Sequence, residues 1–326
     1  MVPKELSCSL PWVVVLTGPT GVGKTEISLE LAQLLNAEII SADSMQVYQG
    51  MDIGTAKATP AQRARVTHHL LDVVSPVQPF SVYDYQRLAR AAIDDITQRG
   101  KLPLFVGGSG LYLRAALTPY RFTQAPADRS LRKQLQQRAQ EEGSLALYQE
   151  LQQLDPESAL VLHPNDLRRI IRALEVYLLT GQSISVALQE TKSTTAPYQT
   201  LWFALNRERQ ELYRRIDHRV WQMIAAGLEA EVRSLQAQGL LRGSDAEPNI
   251  AGQALGYKEL LPYLAGELSL EAAVAKIQQE SRRYARRQLI WFRAQQQLTW
   301  LMLDENSNSS QLAKEIADMV FRTLAH

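Results

Sequence analysis

The chain has 326 residues, of which 45% are hydrophobic and 21% are charged, and its 35 basic and 34 acidic side chains give a formal net charge of +1. This composition is typical of a globular protein with one large domain or with a domain that carries an insertion, and it excludes a surface that binds nucleic acid throughout. The single cysteine, Cys8, excludes an internal disulfide and a zinc site built from cysteines.

Short apolar runs alternate with helical patterns along most of the chain. The first run, Trp12–Thr17, is rich in β-branched residues and precedes a glycine loop and the helical pattern TEISLELAQLL. It is too short to span a bilayer and no basic leader precedes it, so we expect a cytoplasmic protein that does not enter membranes. Later runs predict strands at 38–40, 69–74, 102–108, 200–205 and 298–303, and helical patterns cover 82–99 and 212–238.

The pattern changes between residues 121 and 197. This stretch is rich in Gln, Arg and Leu at helical spacing, and it ends in the polar sequence TKSTTAP. We interpret it as an all-helical insertion domain. The predicted boundaries give a first part of the core at 1–120, the insertion at 121–197, and the remainder of the core with C-terminal helices at 198–326.

The sequence GPTGVGKT, at residues 18–25, matches the phosphate-binding pattern G-x-x-x-x-G-K-[ST] and is called the glycine loop below. In such a loop, backbone N–H groups and the N-terminus of the next helix face phosphate oxygens. We expect Lys24 to neutralise a phosphate and Thr25 to hold Mg²⁺. A turn that only caps a helix is the alternative. The predicted phosphate-binding residues are Gly18, Pro19, Thr20, Gly21, Val22, Gly23, Lys24 and Thr25.

Together, the loop and the alternating elements predict an α/β fold of the P-loop NTPase type. Its sheet is expected to be mostly parallel, with helices on both faces, because strands alternate with helices along the chain. The helical insertion interrupts this core.

Acidic residues near strand ends bear on the chemistry. Phosphoryl-transfer enzymes of this class usually have a metal-binding acid at the end of another strand. Here LPLFVGG ends in glycine, and nothing distinguishes Asp72 from a structural aspartate, which weakens the case for ATP hydrolysis. Asp43 follows the second predicted strand, at the edge where parallel sheets bind ligands. It is either a general base or, on position alone, a helix cap formed with Ser44.

Several motifs resemble those of the tRNA dimethylallyltransferase family, also called tRNA isopentenyltransferases. In chain order they read GPTGVGKT, DSMQVYQGMDIGTAK, VGGSGLYLRA, NDLRRIIRALEV, GQALGYKEL and RRYARRQLIWFR, and the match extends to about Phe292. The resemblance implies transfer of the dimethylallyl group of dimethylallyl diphosphate to N6 of the adenosine at tRNA position 37, beside the anticodon. The glycine loop then holds the diphosphate of the prenyl donor, which agrees with the missing strand-end acid.

The resemblance also implies roles for individual residues. Asp43 accepts the N6 proton, while Lys24, with Mg²⁺ on Thr25, stabilises the charge that develops on diphosphate. Arg219 matches a family arginine that reaches the diphosphate. The adenosine is expected to leave its stack and to bind near Asp43, Ser44, Met45 and Gln46, with Ser109 close to the tRNA.

Arginine-rich helical segments supply further implied tRNA contacts. Such runs are usually solvated helix faces, and it is the resemblance that favours RNA binding. We expect Tyr284, Trp291 and Phe292 to be core residues because they lie at helical spacing. The implied contacts are Arg132, Arg168, Arg169, Ile170, Ile171, Arg172, Gln253, Ala254, Leu255, Gly256, Tyr257, Lys258, Arg282 and Arg286.

Some positions carry no role from the family. We expect His68 and His69 to be structural because adjacent strand residues point to opposite faces and no partner lies at ligand spacing. Gly21 stands where alanine is common in the family, which is expected to loosen phosphate binding. Trp221 stands where an acid is often found.

Two other functions remain open at this point. One is prenylation of free adenine nucleotides, which does not need the arginine runs. The other is a P-loop kinase or NTPase, which consumes ATP. For the main hypothesis the expected partners are tRNA and dimethylallyl diphosphate, the cofactor is Mg²⁺, and the protein is expected to act as a monomer.

Overall fold

The computed structural model describes residues 10–120, 122, 128–186, 195–241 and 250–325. The chain divides into two compact units. The first, the α/β core, consists of Met1–Leu117 together with Pro197–His326, and the second, the helical unit, is Thr118–Ala196. None of the described helices is long and apolar enough to cross a membrane.

The α/β core is built on one six-stranded sheet in which every strand is parallel to its neighbours, in the order β3-β2-β4-β1-β5-β6. Its strands are β1 Trp12–Thr17, β2 Ala37–Ala42, β3 His68–His69, β4 Leu102–Gly107, β5 Gln199–Arg207 and β6 Leu298–Leu303. The carboxyl ends of the central strands therefore meet at one edge, where open parallel sheets bind ligands.

Helices cover both faces of the sheet. In chain order the described helices are α1 Lys24–Leu34, α2 Pro60–Arg65, α3 Val82–Gln98, α4 Gly110–Leu117, α5 Arg129–Glu141, α6 Ser144–Leu154, α7 Pro156–Val161, α8 Leu167–Thr180, α9 Arg209–Ala225, α10 Leu228–Ala237, α11 Tyr257–Leu264, α12 Leu270–Arg293 and α13 Ser309–Leu324. Alternate residues of β1 face opposite cores, since Val13 packs with Ile93 of α3 whereas Val14 packs with Ile27 of α1. The predicted α/β fold of the P-loop NTPase type is confirmed.

Two predicted elements differ from the structure. The strand expected at 69–74 is confined to His68–His69, because Leu70 and Asp72 adopt left-handed backbone angles, with φ of 63° and 56°, that end the extended conformation. The helical pattern over 212–238 is divided into α9 and α10 by Gly227, which has φ 99°. In both cases the apolar sequence pattern continues past a residue at which the regular strand or helix conformation ends.

The helical unit has its own hydrophobic core, formed by α5, α6, α7 and α8. Leu135, Leu147, Leu151 and Leu174 lie at its centre. Asp155 caps the N-terminus of the short helix α7, where its carboxylate accepts a hydrogen bond from the backbone N–H of Ser158 at 3.1 Å. Helix α6 packs against each of the other three.

Candidate active site

A cavity of about 1260 Å³ lies beyond the carboxyl ends of β1, β2 and β4 in the α/β core. The glycine loop, the segment that follows β2 and the end of β4 line it, together with one face of α9 and one face of α12. The volume exceeds that of an ordinary single-ligand pocket, which is roughly 300 to 1,000 Å³. The cavity therefore has room for more than one small group.

The glycine loop connects β1 to α1 at one end of this cavity. Gly21 has φ 79°, and a Cβ there would lie 2.8 Å from the Ile216 side chain of α9. Glycine fits this backbone without strain, whereas alanine is disfavoured by both the angle and the contact. The predicted effect of Gly21 on phosphate binding stays a prediction.

Lys24 lies at the start of α1 and folds back over the loop. Its Nζ donates hydrogen bonds to the carbonyl oxygens of Gly18 at 2.9 Å and Pro19 at 2.8 Å. The pKa of Lys24 is lowered to about 7, chiefly by burial and also by the positive charge of Arg219, while Asp43 acts in the opposite direction. An anion bound in the loop would favour the charged ammonium.

Asp43 follows β2 and faces the same cavity. Its Oδ1 accepts a hydrogen bond from the backbone N–H of Met45 at 2.9 Å. Burial raises the pKa of Asp43, although this backbone bond and the charge of Lys24 oppose the shift. The alternative role as a helix cap is wrong, because a turn follows Asp43 and the next helix begins at Pro60.

The turn after Asp43 is held by side-chain hydrogen bonds from three directions. The backbone N–H of Ser44 donates to Ser109 Oγ at 3.2 Å, which ties the turn to the end of β4. Gln46 Oε1 accepts from Ser41 Oγ at 2.8 Å, and Gln46 Nε2 donates to the carbonyl of Thr55 at 3.1 Å. The structure thus brings together Asp43, Ser44, Gln46 and Ser109, all of which the sequence singled out.

Arg219 lines the cavity from α9 and is half-buried. Burial lowers its pKa, and the charge of Asp43 opposes that shift. The neighbouring Arg214 points elsewhere, since it forms an ion pair with Glu305 at 2.6 Å. Arg215 donates from Nε to the Gly21 carbonyl at 3.1 Å and also lines the cavity. Two arginines of α9 therefore stand beside the glycine loop.

Two residues of α12 complete the site: the sequence did not single out Gln288, and it predicted Tyr284 to be a core residue. Gln288 accepts a hydrogen bond from the backbone N–H of Thr20 at 2.8 Å and donates one to the Gly108 carbonyl at 3.0 Å. Tyr284 lies one turn earlier and interacts with Ser109 and Gln288, and burial raises its pKa to about 12. The available signal was their separation of four residues, which places both on one face of a helix.

The predicted core role of the α12 aromatics is partly wrong. Phe292 is fully buried in the core and Trp291 packs against it, as expected. Tyr284 instead faces the cavity.

Among the described residues no cluster of three or more His, Cys, Asp or Glu side chains could hold a metal ion.

Asp72, left open as a possible metal-binding acid, forms ion pairs in the structure. Its carboxylate binds Lys57 at 2.6 Å and Arg63 at 2.8 Å. Lys57, whose side chain is fully buried, also binds Asp52 at 2.6 Å. These pairs hold the segment after β2 against the cavity wall and give Asp72 a structural role.

The arginines on one side of α12 differ in their surroundings. Arg282 is ion-paired with Asp217 of α9. Arg286 and Arg293 lie on the side away from Tyr284, where they border a separate groove with Leu289 and Ile290. Arg282 and Arg286, four residues apart, lie on the same side of α12, and the predicted RNA contacts at both stay predictions.

The segment Gln253–Lys258 is divided between surface and interior. Gln253 and Lys258 are exposed and Leu255 is half-buried. Ala254, Gly256 and Tyr257 are buried, so the side chains that this segment presents at the surface are those of Gln253, Leu255 and Lys258, and the predicted tRNA contact of the segment stays a prediction. Packing between α10 and α11 accounts for their burial.

The predicted RNA contacts in the helical unit divide in the same way. Arg168 and Arg169 are exposed, and Arg169 is paired with Asp166 at 3.0 Å. Ile170 and Ile171 are buried in the core of the unit, so their side chains are not at its surface, and the predicted tRNA contacts at these two positions stay predictions. A helix that turns 100° per residue cannot expose five consecutive side chains.

Arg132 and Arg172 meet at Glu175, which is fully buried on α8. The Glu175 carboxylate accepts hydrogen bonds from Arg132 at 2.8 and 2.9 Å, from Arg172 at 2.5 Å and from the backbone N–H of Asp128 at 2.8 Å. Burial alone would raise the pKa of Glu175, but these hydrogen bonds outweigh it and the net pKa is lowered. Part of both arginine side chains stays exposed.

We expect Glu175→Gln to destabilise the helical unit by about 2 to 3 kcal/mol, less than for a wholly buried pair because both arginines keep part of their hydration. A lowered folded-state pKa stabilises the fold above the unfolded pKa, and this contribution is lost as the pH falls through the folded value. Urea unfolding at neutral and acidic pH checks both points. Glu142→Gln, which removes an exposed pair with Arg138, is the control and should change stability by about 0.5 kcal/mol or less.

Comparisons with known proteins cover nearly the whole chain. A family model described as IPP transferase matches residues 46–295, and one described as isopentenyl transferase matches residues 11–77. A protein named tRNA dimethylallyltransferase from Geobacillus thermodenitrificans is 50% identical over 304 residues, which is 93% of this chain and 94% of the relative.

Solved structures agree with these matches. A full-length tRNA isopentenylpyrophosphate transferase from Bacillus halodurans is 40% identical, with a TM-score of 0.68 over 98% of this chain and 100% of that chain. A eukaryotic dimethylallyltransferase described as acting on tRNA is 30% identical, with a TM-score of 0.80 over 96% of this chain and 80% of that chain. The similarity therefore includes the cavity and the elements that line it.

Proposed function

The chain belongs to the IPP transferase family, and from that membership we propose that it transfers the dimethylallyl group of dimethylallyl diphosphate to N6 of the adenosine at tRNA position 37. One observation supports the proposal at the level of individual residues. A carboxylate, Asp43, faces the same cavity as the glycine loop, and its charge shifts the pKa values of Lys24 and Arg219. A proton acceptor and an anion-binding group thus share one chamber.

The donor binds through its diphosphate. Backbone N–H groups of the glycine loop and the N-terminus of α1 face the phosphate oxygens, and Lys24, Arg215 and Arg219 supply positive charge. These groups stabilise the negative charge that grows on the leaving diphosphate as the allylic C–O bond breaks. Because these groups stand on one loop and two helices, little reorganisation is needed during the reaction.

Mg²⁺ fits this donor set through Thr25, whose side chain lines the cavity. Mg²⁺ generally takes one or two protein oxygens and completes its shell with phosphate oxygens and water, so a cluster of acids is not required. When bound, it supplies further neutralisation of the diphosphate. Thr25 is the residue of this chain that we propose as its ligand.

The acceptor adenine binds near the turn at Asp43–Gln46. Its exocyclic nitrogen is a weak nucleophile because the lone pair is delocalised into the ring, so position contributes much of the rate. The nitrogen attacks the allylic carbon, the C–O bond to diphosphate breaks, and Asp43 takes the proton that N6 loses. The products are N6-dimethylallyladenosine in tRNA and diphosphate, and Asp43 then releases its proton to water.

The raised pKa of Asp43 suits this role. A carboxylate that is more basic than usual accepts a proton more readily, as long as the pH keeps it ionised. Tyr284 and Ser109 stand next to the turn, where they can orient the adenine edge. The site therefore needs no further acid or base for the proton balance.

RNA binding is proposed for the exposed arginines rather than for the whole of each motif. We expect Arg168→Ala to weaken tRNA binding and to reduce the slope of log affinity against log salt concentration by about 0.7 to 1, as for one lost phosphate contact. Filter binding at several salt concentrations measures this. Arg138→Ala on α5 is the control, since Arg138 is paired with Glu142 and Glu150. An unchanged slope for Arg168→Ala would remove that residue from the interface.

The reaction itself has a direct test. Purified protein is incubated with dimethylallyl diphosphate, Mg²⁺ and unmodified tRNA, with AMP or ATP in place of tRNA as controls. We expect modified adenosine only in the tRNA mixture. Prenylated AMP would support the nucleotide prenyltransferase, and steady ATP cleavage without modified RNA would support a kinase or NTPase.

The same proposal includes a cytoplasmic monomer, since the substrate is tRNA and one chain contains all the proposed groups.

A further inference from the structure

A second carboxylate, that of Glu231 on α10, holds residues 52–54, a loop next to the turn at Asp43–Gln46. Its Oε2 accepts hydrogen bonds from the backbone N–H groups of Asp52 at 3.0 Å and Ile53 at 2.8 Å, and its Oε1 accepts from Gly54 at 3.2 Å. Three successive N–H groups that converge on one anion form a backbone nest. The loop 52–54 is therefore fixed by a charge that comes from a distant part of the chain.

Tyr257 of α11 completes the arrangement. Its hydroxyl donates to Glu231 Oε1 at 2.5 Å, and its ring is fully buried. A Cβ at Gly54 would lie 2.4 Å from Tyr257 Cε2, so the ring lies directly against the loop backbone. Burial, together with the charge of Glu231, raises the pKa of Tyr257, and the phenol stays a hydrogen-bond donor at any physiological pH.

The same loop continues into the turn that carries Asp43. Gln46 Nε2 donates to the carbonyl of Thr55 at 3.1 Å, and the Thr55 hydroxyl donates to the Met51 carbonyl at 2.6 Å. Lys57 donates from Nζ to the Tyr48 carbonyl at 2.8 Å. A movement of residues 52–54 would therefore be passed to Gln46 and the turn beside it.

We propose that Glu231 is a positioning residue of the transfer reaction, which holds the loop 52–54, and through it the turn at Asp43–Gln46, in the reactive geometry with the help of the Tyr257 hydroxyl. The proposal rests on the proposed function. Glu231 acts through the loop and touches no reacting atom. Its importance follows from the sensitivity of such reactions to position, since a displacement of about 1 Å can cost about 100-fold in rate.

Tyr257 also connects this arrangement to the proposed RNA surface. It lies between the exposed residues Gln253 and Lys258 of a segment that matches a family contact with tRNA. RNA bound to those side chains would restrict α11 and thus the ring that packs on Gly54.

The test compares two carboxylates of α10 that share the same kind of partner. Glu231→Gln keeps the shape but leaves amide hydrogens facing the loop N–H groups. Glu229→Gln is the matched control, because Glu229 accepts from the Tyr263 hydroxyl at 3.3 Å and pairs with Arg233, away from loop 52–54. For each variant, single-turnover prenyl transfer, the affinities for tRNA and dimethylallyl diphosphate, and hydrogen exchange of peptides over residues 43–56 are measured.

We expect Glu231→Gln to lower the single-turnover rate about 10- to 100-fold, consistent with lost hydrogen bonds to a charged group. Both affinities should stay within about threefold, and exchange over 43–56 should increase with and without tRNA. Tyr257→Phe should show a smaller loss of about 3- to 10-fold. If Glu231→Gln does not fold, the rate of Tyr257→Phe tests the proposal in its place.

The proposal is overturned if Glu231→Gln transfers the prenyl group as fast as wild type, or if Glu229→Gln loses rate to the same extent. A rate loss that is fully explained by weaker substrate binding also contradicts it. Failure of the proposed function gives a different result, because the wild-type protein itself would then modify no tRNA. In that case hydrogen exchange still reports whether Glu231 holds residues 43–56.

Discussion

Asp43→Asn is expected to lower the rate of prenyl transfer by a factor of about 10² to 10⁴, while tRNA and dimethylallyl diphosphate bind with largely unchanged affinity. The amide keeps the size of the side chain and can still accept the hydrogen bond from Met45, but it cannot take the N6 proton. Single-turnover measurements separate this chemical step from binding and product release. Near-normal chemistry in the variant would remove Asp43 from the base role.

The raised pKa of Asp43 makes a second prediction for the same variant. Between the unfolded and folded pKa values the native state binds more protons than the unfolded state, so the contribution of Asp43 to stability falls as the pH rises through that window. Above that window the buried carboxylate therefore costs stability. We expect the asparagine variant to unfold at a higher temperature than wild type at pH 7, and to lose the acidic limb of the pH–rate profile.

Lys24→Ala is expected to reduce the rate of transfer about 100- to 1,000-fold, in line with the removal of one preorganised electrostatic group. The pKa of Lys24, lowered to about 7, adds a test that does not depend on turnover. Bound diphosphate favours the ammonium, so binding at pH 8 takes up a proton, and affinity falls as the pH rises above about 7.

Calorimetry in two buffers of different ionisation enthalpy measures this uptake with inorganic diphosphate as the probe. Lys24→Arg is the matched control, because the guanidinium stays charged and should show no proton uptake from this position. Equal proton uptake by wild type and Lys24→Arg would mean that another group titrates. Unchanged transfer by Lys24→Ala would exclude the lysine from charge stabilisation.

The sequence predicted most of the fold because the signals for strands and helices are local. Runs such as Trp12–Thr17 are buried on both faces, so they are continuously apolar, and the glycine loop has a fixed spacing between one strand and one helix. Leu70 and Gly227 show where this fails. Backbone angles that end an element depend on tertiary contacts, which a pattern of apolar residues does not contain.

The site was predictable where a motif contains its own geometry. Asp43 and Lys24 follow strand ends, and strand ends meet at one edge of a parallel sheet. Gln288 contacts Thr20, which is 268 positions away, and no local pattern indicates such a pairing. Ile170 and Tyr257 are buried for a related reason, since a motif matched as a continuous run includes residues that face the interior.

The two hydrogen bonds of Gln288 have a consequence for the spacing of the substrates. One end of its amide holds the loop beneath the leaving group, and the other holds the strand end that carries the acceptor side of the chamber. A single side chain of α12 thus ties the glycine loop to the end of β4. Under the proposed function, a longer or shorter side chain at this position would change the separation of the two substrates.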